Sequence, residues 1–138
     1  MKTLLILSLL ISVLTSSCQV HWDKTTDWKL YRYQGNDLFS ISLDSLHSFQ
    51  NIPLAQDSMN NYLSGVAIKH PKAATHWMGG YIATCQSDVG LRKVVLSNYG
   101  GFFYDQKAGA YYQLPTEKID DWLSFLQTSY ITMIKKGD

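Results

Sequence analysis

An excess of charge of either sign is missing from this chain: 12 Lys and Arg stand against 11 Asp and Glu over 138 residues. That balance excludes the clustered cations of a nucleic-acid binder and gives no electrostatic drive toward anionic lipid. Glutamate is nearly absent. Glu117 is the only one, and the other ten acids are Asp, which favours turns and helix starts. Proline occurs three times, too rarely for a Pro-rich linker. Cysteine occurs twice, as Cys18 and Cys85, too few for a disulfide scaffold. No phosphate-binding loop and no G-x-S-x-G turn occurs. No apolar run approaches the roughly 20 residues that a membrane-spanning helix needs.

Aromatic residues are plentiful. Nine Tyr, five Phe and four Trp all lie downstream of Cys18. Such residues suit sheet faces and recognition surfaces.

The N-terminus carries Lys2, then the apolar stretch Leu4–Leu14, then Thr15-Ser16-Ser17-Cys18. Eleven apolar-rich residues after a basic start match the h-region of a secretory signal. The segment resembles a bacterial lipoprotein signal peptide, with residues 1–17 removed and Cys18 lipidated as the first mature residue. Thr15 stands where that family's pattern usually has Leu, and Thr15 with Ser17 also fits ordinary signal peptidase. The resemblance implies a lipid-anchored protein of the cell envelope, and Gln19 after the Cys implies sorting to the outer membrane. Several acyl chains anchor stably where a single one is marginal.

Removal of residues 1–17 leaves 121 residues and takes away only Lys2 among the charges. That is one domain with room for a hydrophobic core. Residues 18–26 read as the lipidated Cys and a short tether, with Trp22 either at the headgroup level or packed on the body. Residues 27–138 read as a single α+β domain.

Within it, Trp28–Tyr33 and Leu38–Ile41 read as short strands around a turn at Gly35–Asp37. Leu43–Phe49 and Gln56–Leu63 read as short helices, the second capped by Asp57 or Ser58 and closed near Gly65. Residues 69–79 read as a loop. Gly80–Gln86, Leu91–Ser97, Phe102–Asp105 and Ala110–Leu114 alternate between Gly-containing turns, which predicts a four-stranded antiparallel meander. Pro115 ends it. From Thr116 to Lys136, apolar residues at 119, 122, 123, 126, 130, 133 and 134 mark one face of a long helix. That stripe calls for the meander as its partner.

Catalytic and metal signatures fail on inspection. Cys85 follows all four His residues (21, 47, 70 and 76). The exported Cys/His cell-wall peptidases carry their His after the Cys, and Ile82-Ala-Thr-Cys85 lacks the Ser/Thr-His-Gly run of the transpeptidases. Cys85 is expected to be a buried thiol. His70 and His76 lack the further ligands that zinc demands. No catalytic residue, metal or cofactor is expected.

Binding is expected from the segment Asn98–Tyr112. Phe102 and Tyr104 share one strand face and Tyr111 lies on the partner strand, with Tyr99 in the adjoining turn. These four form the candidate recognition surface unless residues 28–63 cover it. The function expected is a protein-binding module of the envelope, of inhibitor, immunity or accessory type. An envelope enzyme acting on cell wall or glycan, and a structural or assembly factor, are the alternatives.

Overall fold

A computed structural model describes residues 20–69 and 79–137. The leader, Cys18, His70 and His76 lie outside the described residues.

The described residues form one seven-stranded antiparallel sheet in the order β2-β1-β4-β5-β6-β7-β3. The strands are β1 (Thr26–Tyr31), β2 (Asn51–Pro53), β3 (Ala67–Lys69), β4 (Gly80–Ser87), β5 (Gly90–Ser97), β6 (Phe102–Asp105) and β7 (Ala110–Gln113). Helix α1 is Gln56–Leu63 and helix α2 is Ile119–Gly137. The architecture is α+β, with the expected meander β4–β7 at its centre and the C-terminal helix packed against it.

The β5–β6 turn shows why the meander closes where it does. Gly100 and Gly101 both sit at φ +67, a region that L side chains avoid. The Gly101 carbonyl accepts the Leu114 N–H at 3.0 Å, and a Cβ there would press on Ile119 of α2 at 2.8 Å. The turn and the helix start are therefore fitted to each other.

Helix α2 buries Trp122, Leu126 and Met133, three positions of the expected stripe. They meet Leu30, Ala83, Cys85, Val94, Leu96 and Phe103 from the sheet, and Met59 and Leu63 from α1. Asp120 and Asp121 in the first turn and Lys135 and Lys136 in the last complement the helix dipole. Lys118 Nζ donates to the carbonyls of Asn61 at 2.5 Å and Ser64 at 3.0 Å, which satisfies the C-terminal end of α1.

Four expectations need correction. Among the described residues the sheet has seven strands, because β1 joins the meander beside β4 and two three-residue strands extend it, β2 beyond β1 and β3 beyond β7. Their brevity, with Pro53 in β2, blunts both edges against pairing with other chains.

Leu38–Ile41 is a turn, not a strand. The Asp37 carbonyl accepts the amides of both Ser40 and Ile41 at 3.0 Å, so the backbone is satisfied locally.

Neither Asp57 nor Ser58 caps α1. The helix spans Gln56–Leu63 as expected, but Ala55 is at the cap, and Asp57 sits in the first turn, where its charge favours the dipole.

Finally, the tether does not extend to residue 26. Trp22–Lys24 is a 3-10 turn and Trp22 is only 4% exposed. Its ring packs edge-on against Phe103 at 5.0 Å and Tyr112 at 5.2 Å. Thr25 Oγ1 donates to the Trp22 carbonyl at 2.6 Å and accepts Trp28 Nε1–H at 2.8 Å. Burying a large indole outweighs leaving this segment in water.

Candidate functional site

The sheet has two unlike faces. One carries the core under α1 and α2. Pairing in β6 and β7 turns Phe103 and Tyr112 toward that core and Phe102, Tyr104 and Tyr111 to the other face.

On this second face Tyr104 and Tyr111 are directly opposite across the ladder. Their ring centroids are 4.7 Å apart. Phe39 adds a third ring, edge-on to Tyr104 at 5.4 Å. Tyr99, in the turn, lies 6.3 Å from Phe102. All five rings are half-buried. Burial, with Tyr104 beside it, pushes the Tyr111 hydroxyl up from its ordinary value. The phenol therefore stays neutral and able to donate at physiological pH. Of the four candidate residues, the structure brings Phe102, Tyr104 and Tyr111 to one face and leaves Tyr99 at its rim. Phe39 had no local signal in the sequence, since a fold-back of some sixty residues brings it there.

The rest of this face is covered by residues 33–49. Tyr33, Leu38, Ile41, Leu43 and Phe49 pack with Leu46 on Tyr31 and Ile82. Of residues 28–63, it is 33–49 that cover the β1–β4 half of the face and reach the aromatic half through Phe39.

Lys93 fastens this cover. It is 4% exposed, and its Nζ donates to the carbonyls of Leu38 at 2.8 Å and Ile41 at 2.7 Å. Burial lowers its pKa to about 8, partly offset by the Asp37 carboxylate. Between pH 8 and the ordinary value of 10.5, the unfolded chain holds a proton that the folded chain has released. Stability therefore rises with pH across that window. Cys85 acts in the opposite sense. Burial pushes its thiol up to about 12, so above pH 9 the folded chain keeps a proton that the unfolded chain loses. The two effects overlap only above pH 9, so urea midpoints are expected to climb between pH 8 and 9. Lys93→Met removes the climb; a wild-type profile flat over that interval contradicts the assignment.

Cys85 is fully buried and stays a thiol at neutral pH, as expected from the sequence. That removes it as a nucleophile. Among the described residues, no three His, Cys, Asp or Glu side chains come together as a metal site.

A cleft of about 450 Å³ opens on the second face where the cover meets β1 and β4. Asp27, Lys29 and Tyr31 line it from β1, Thr84 and Gln86 from β4, and His47 from the 3-10 turn Asp44–Ser48. Sequence reasoning missed this site. Its geometry depends on an irregularity in β1 between Thr26 and Lys29, and no residue type announces it.

No protein-family model, no curated protein and no solved structure matches this chain.

Proposed function

We propose that this chain is a small lipid-anchored protein of the bacterial cell envelope that acts by binding a protein partner, as an inhibitor, an immunity protein or an accessory subunit of an envelope machine. The observation that carries this reading is the aromatic ladder Phe39–Tyr104–Tyr111. Half-buried aromatic side chains, with Tyr104 and Tyr111 on a rigid sheet and Phe39 on the turn beside it, provide large contact area at little entropic cost. Such clusters supply the anchors of protein interfaces.

The leader supports the location, and the docked Trp22 refines it. Four Cα-to-Cα steps lead from Cys18 to Trp22, a reach of about 13 Å at full extension. The domain then stands directly on the bilayer, and its partner is a protein accessible at that surface. The body has eleven cations against eleven acids after Cys18, so the lipid supplies the membrane affinity.

Capture from intact cells tests the reading. The Tyr104→Ala and Tyr111→Ala variants are expected to lose a partner that wild type retains, by about tenfold or more, the usual scale of an aromatic hot spot. Their urea midpoints should stay near wild type, because both rings are already half in water. Equal recovery by both variants and wild type contradicts the proposal.

A further inference from the structure

A second site lies on the same sheet face, apart from the aromatic ladder. The cleft of about 450 Å³ between β1, β4 and the 3-10 turn is walled by opposite charges that do not pair with each other. Asp27, Lys29, His47 and Gln86 all line it, and none of these side chains makes a hydrogen bond or ion pair among the described residues. Below them, Tyr31 Oη and Thr84 Oγ1 form a buried hydroxyl pair at 3.2 Å. Whichever oxygen donates in that pair, one hydroxyl proton is left over for a ligand.

The backbone is bent to make this arrangement. Asp27 sits at φ +52, the only described non-glycine residue at positive φ. It occupies the shift in register between Thr26 and Lys29. Bulges of this kind re-aim a side chain and recur beside binding sites. Leu43 and Leu91 complete the wall with aliphatic surface.

From this geometry we propose that the cleft binds a small zwitterion: an amino acid or short peptide with a free ammonium and a free carboxylate. Asp27 takes the ammonium. Lys29 and His47 take the carboxylate. The Tyr31–Thr84 hydroxyls and the Gln86 amide meet the peptide groups, and small aliphatic side chains lie against Leu43 and Leu91. The volume falls within the range of small-molecule sites, roughly 300–1,000 Å³. The proposal does not depend on the aromatic ladder or its partner.

The test uses the full chain in detergent micelles, with trialanine as the probe and the His47 and Thr84 resonances as the readout. Trialanine is expected to shift both resonances saturably. N-acetyl-trialanine and trialanine amide, each lacking one charge, should bind about tenfold more weakly or worse, the scale of one lost charge-assisted contact. Asp27→Asn keeps a residue type that tolerates positive φ, and Lys29→Gln lies on the surface, so both variants should fold. Each is expected to weaken trialanine by a similar factor. Three results overturn the proposal: no shift at about 10 mM, a limit set by the weakest affinity worth calling a site; equal binding of the blocked and free peptides; or undiminished binding by both variants.

Discussion

Asp105→Asn is expected to cost about 3–5 kcal/mol of folding stability, the range for breaking one side of a buried ion pair. Asp105 is fully buried and Arg92 is 6% exposed. The two meet at 3.4 Å, Arg92 Nη1 to Asp105 Oδ2, on the core face of the sheet beside Cys85. Burial pushes the Asp105 carboxyl up, while Arg92 and the Lys107 amide pull it back. Asparagine keeps the shape and retains an acceptor for the Lys107 N–H, which now bonds Asp105 Oδ1 at 3.2 Å. The substitution removes the charge and replaces the oxygen facing Arg92 with an amide NH2 that cannot accept, leaving a guanidinium in the core without its counter-ion. Arg92 Nε already lacks a hydrogen-bond partner among the described residues.

The double variant Arg92→Met with Asp105→Leu should recover most of that loss. It removes both desolvation costs together, and such replacements are often neutral or stabilising. Urea unfolding followed by tryptophan fluorescence reads both variants, since Trp22, Trp28 and Trp122 are buried. A loss below about 1 kcal/mol for Asp105→Asn, the value of an exposed pair, contradicts this account.

Cys18→Ala is expected to abolish labelling by radioactive palmitate and to move the protein from the membrane fraction to the soluble one. The effect should be nearly complete, because nothing else described holds the body to a bilayer. Its charges balance, and none of the described helices is long and apolar enough to cross a membrane. Trp22, the residue best placed to rest among headgroups, is committed to the core. Wild-type protein that takes up no palmitate, or a Cys18→Ala variant that stays in the membrane fraction, contradicts the lipid anchor.

The parts of this fold legible in the sequence are those whose signal is local. In β4 to β7, alternation and glycine turns mark both strand and end, and each strand pairs with its neighbour in the chain. In α2, the spacing of Trp122, Leu126 and Met133 needs no knowledge of the partner surface. The parts that were not legible depend on distant groups. β2 and β3 are three residues each, too short for a pattern, and exist because Leu30 and Tyr112 offer them ladders. Leu38–Ile41 has strand-like residues, yet Lys93 and Asp37 satisfy its backbone as a turn. The candidate site divides in the same way. Phe102, Tyr104 and Tyr111 were readable from strand parity. Phe39 and the Asp27–His47 cleft arise from long-range folding and a bulge.

The central claim is that the aromatic ladder is a binding face at the membrane surface. Placing a photo-crosslinking amino acid at position 104, and separately at the exposed position 57 on α1 as control, and irradiating intact cells tests it most directly. The account predicts a discrete protein adduct from position 104 that Tyr111→Ala weakens, and none from position 57. No adduct from position 104, or the same adduct from both positions, would contradict it.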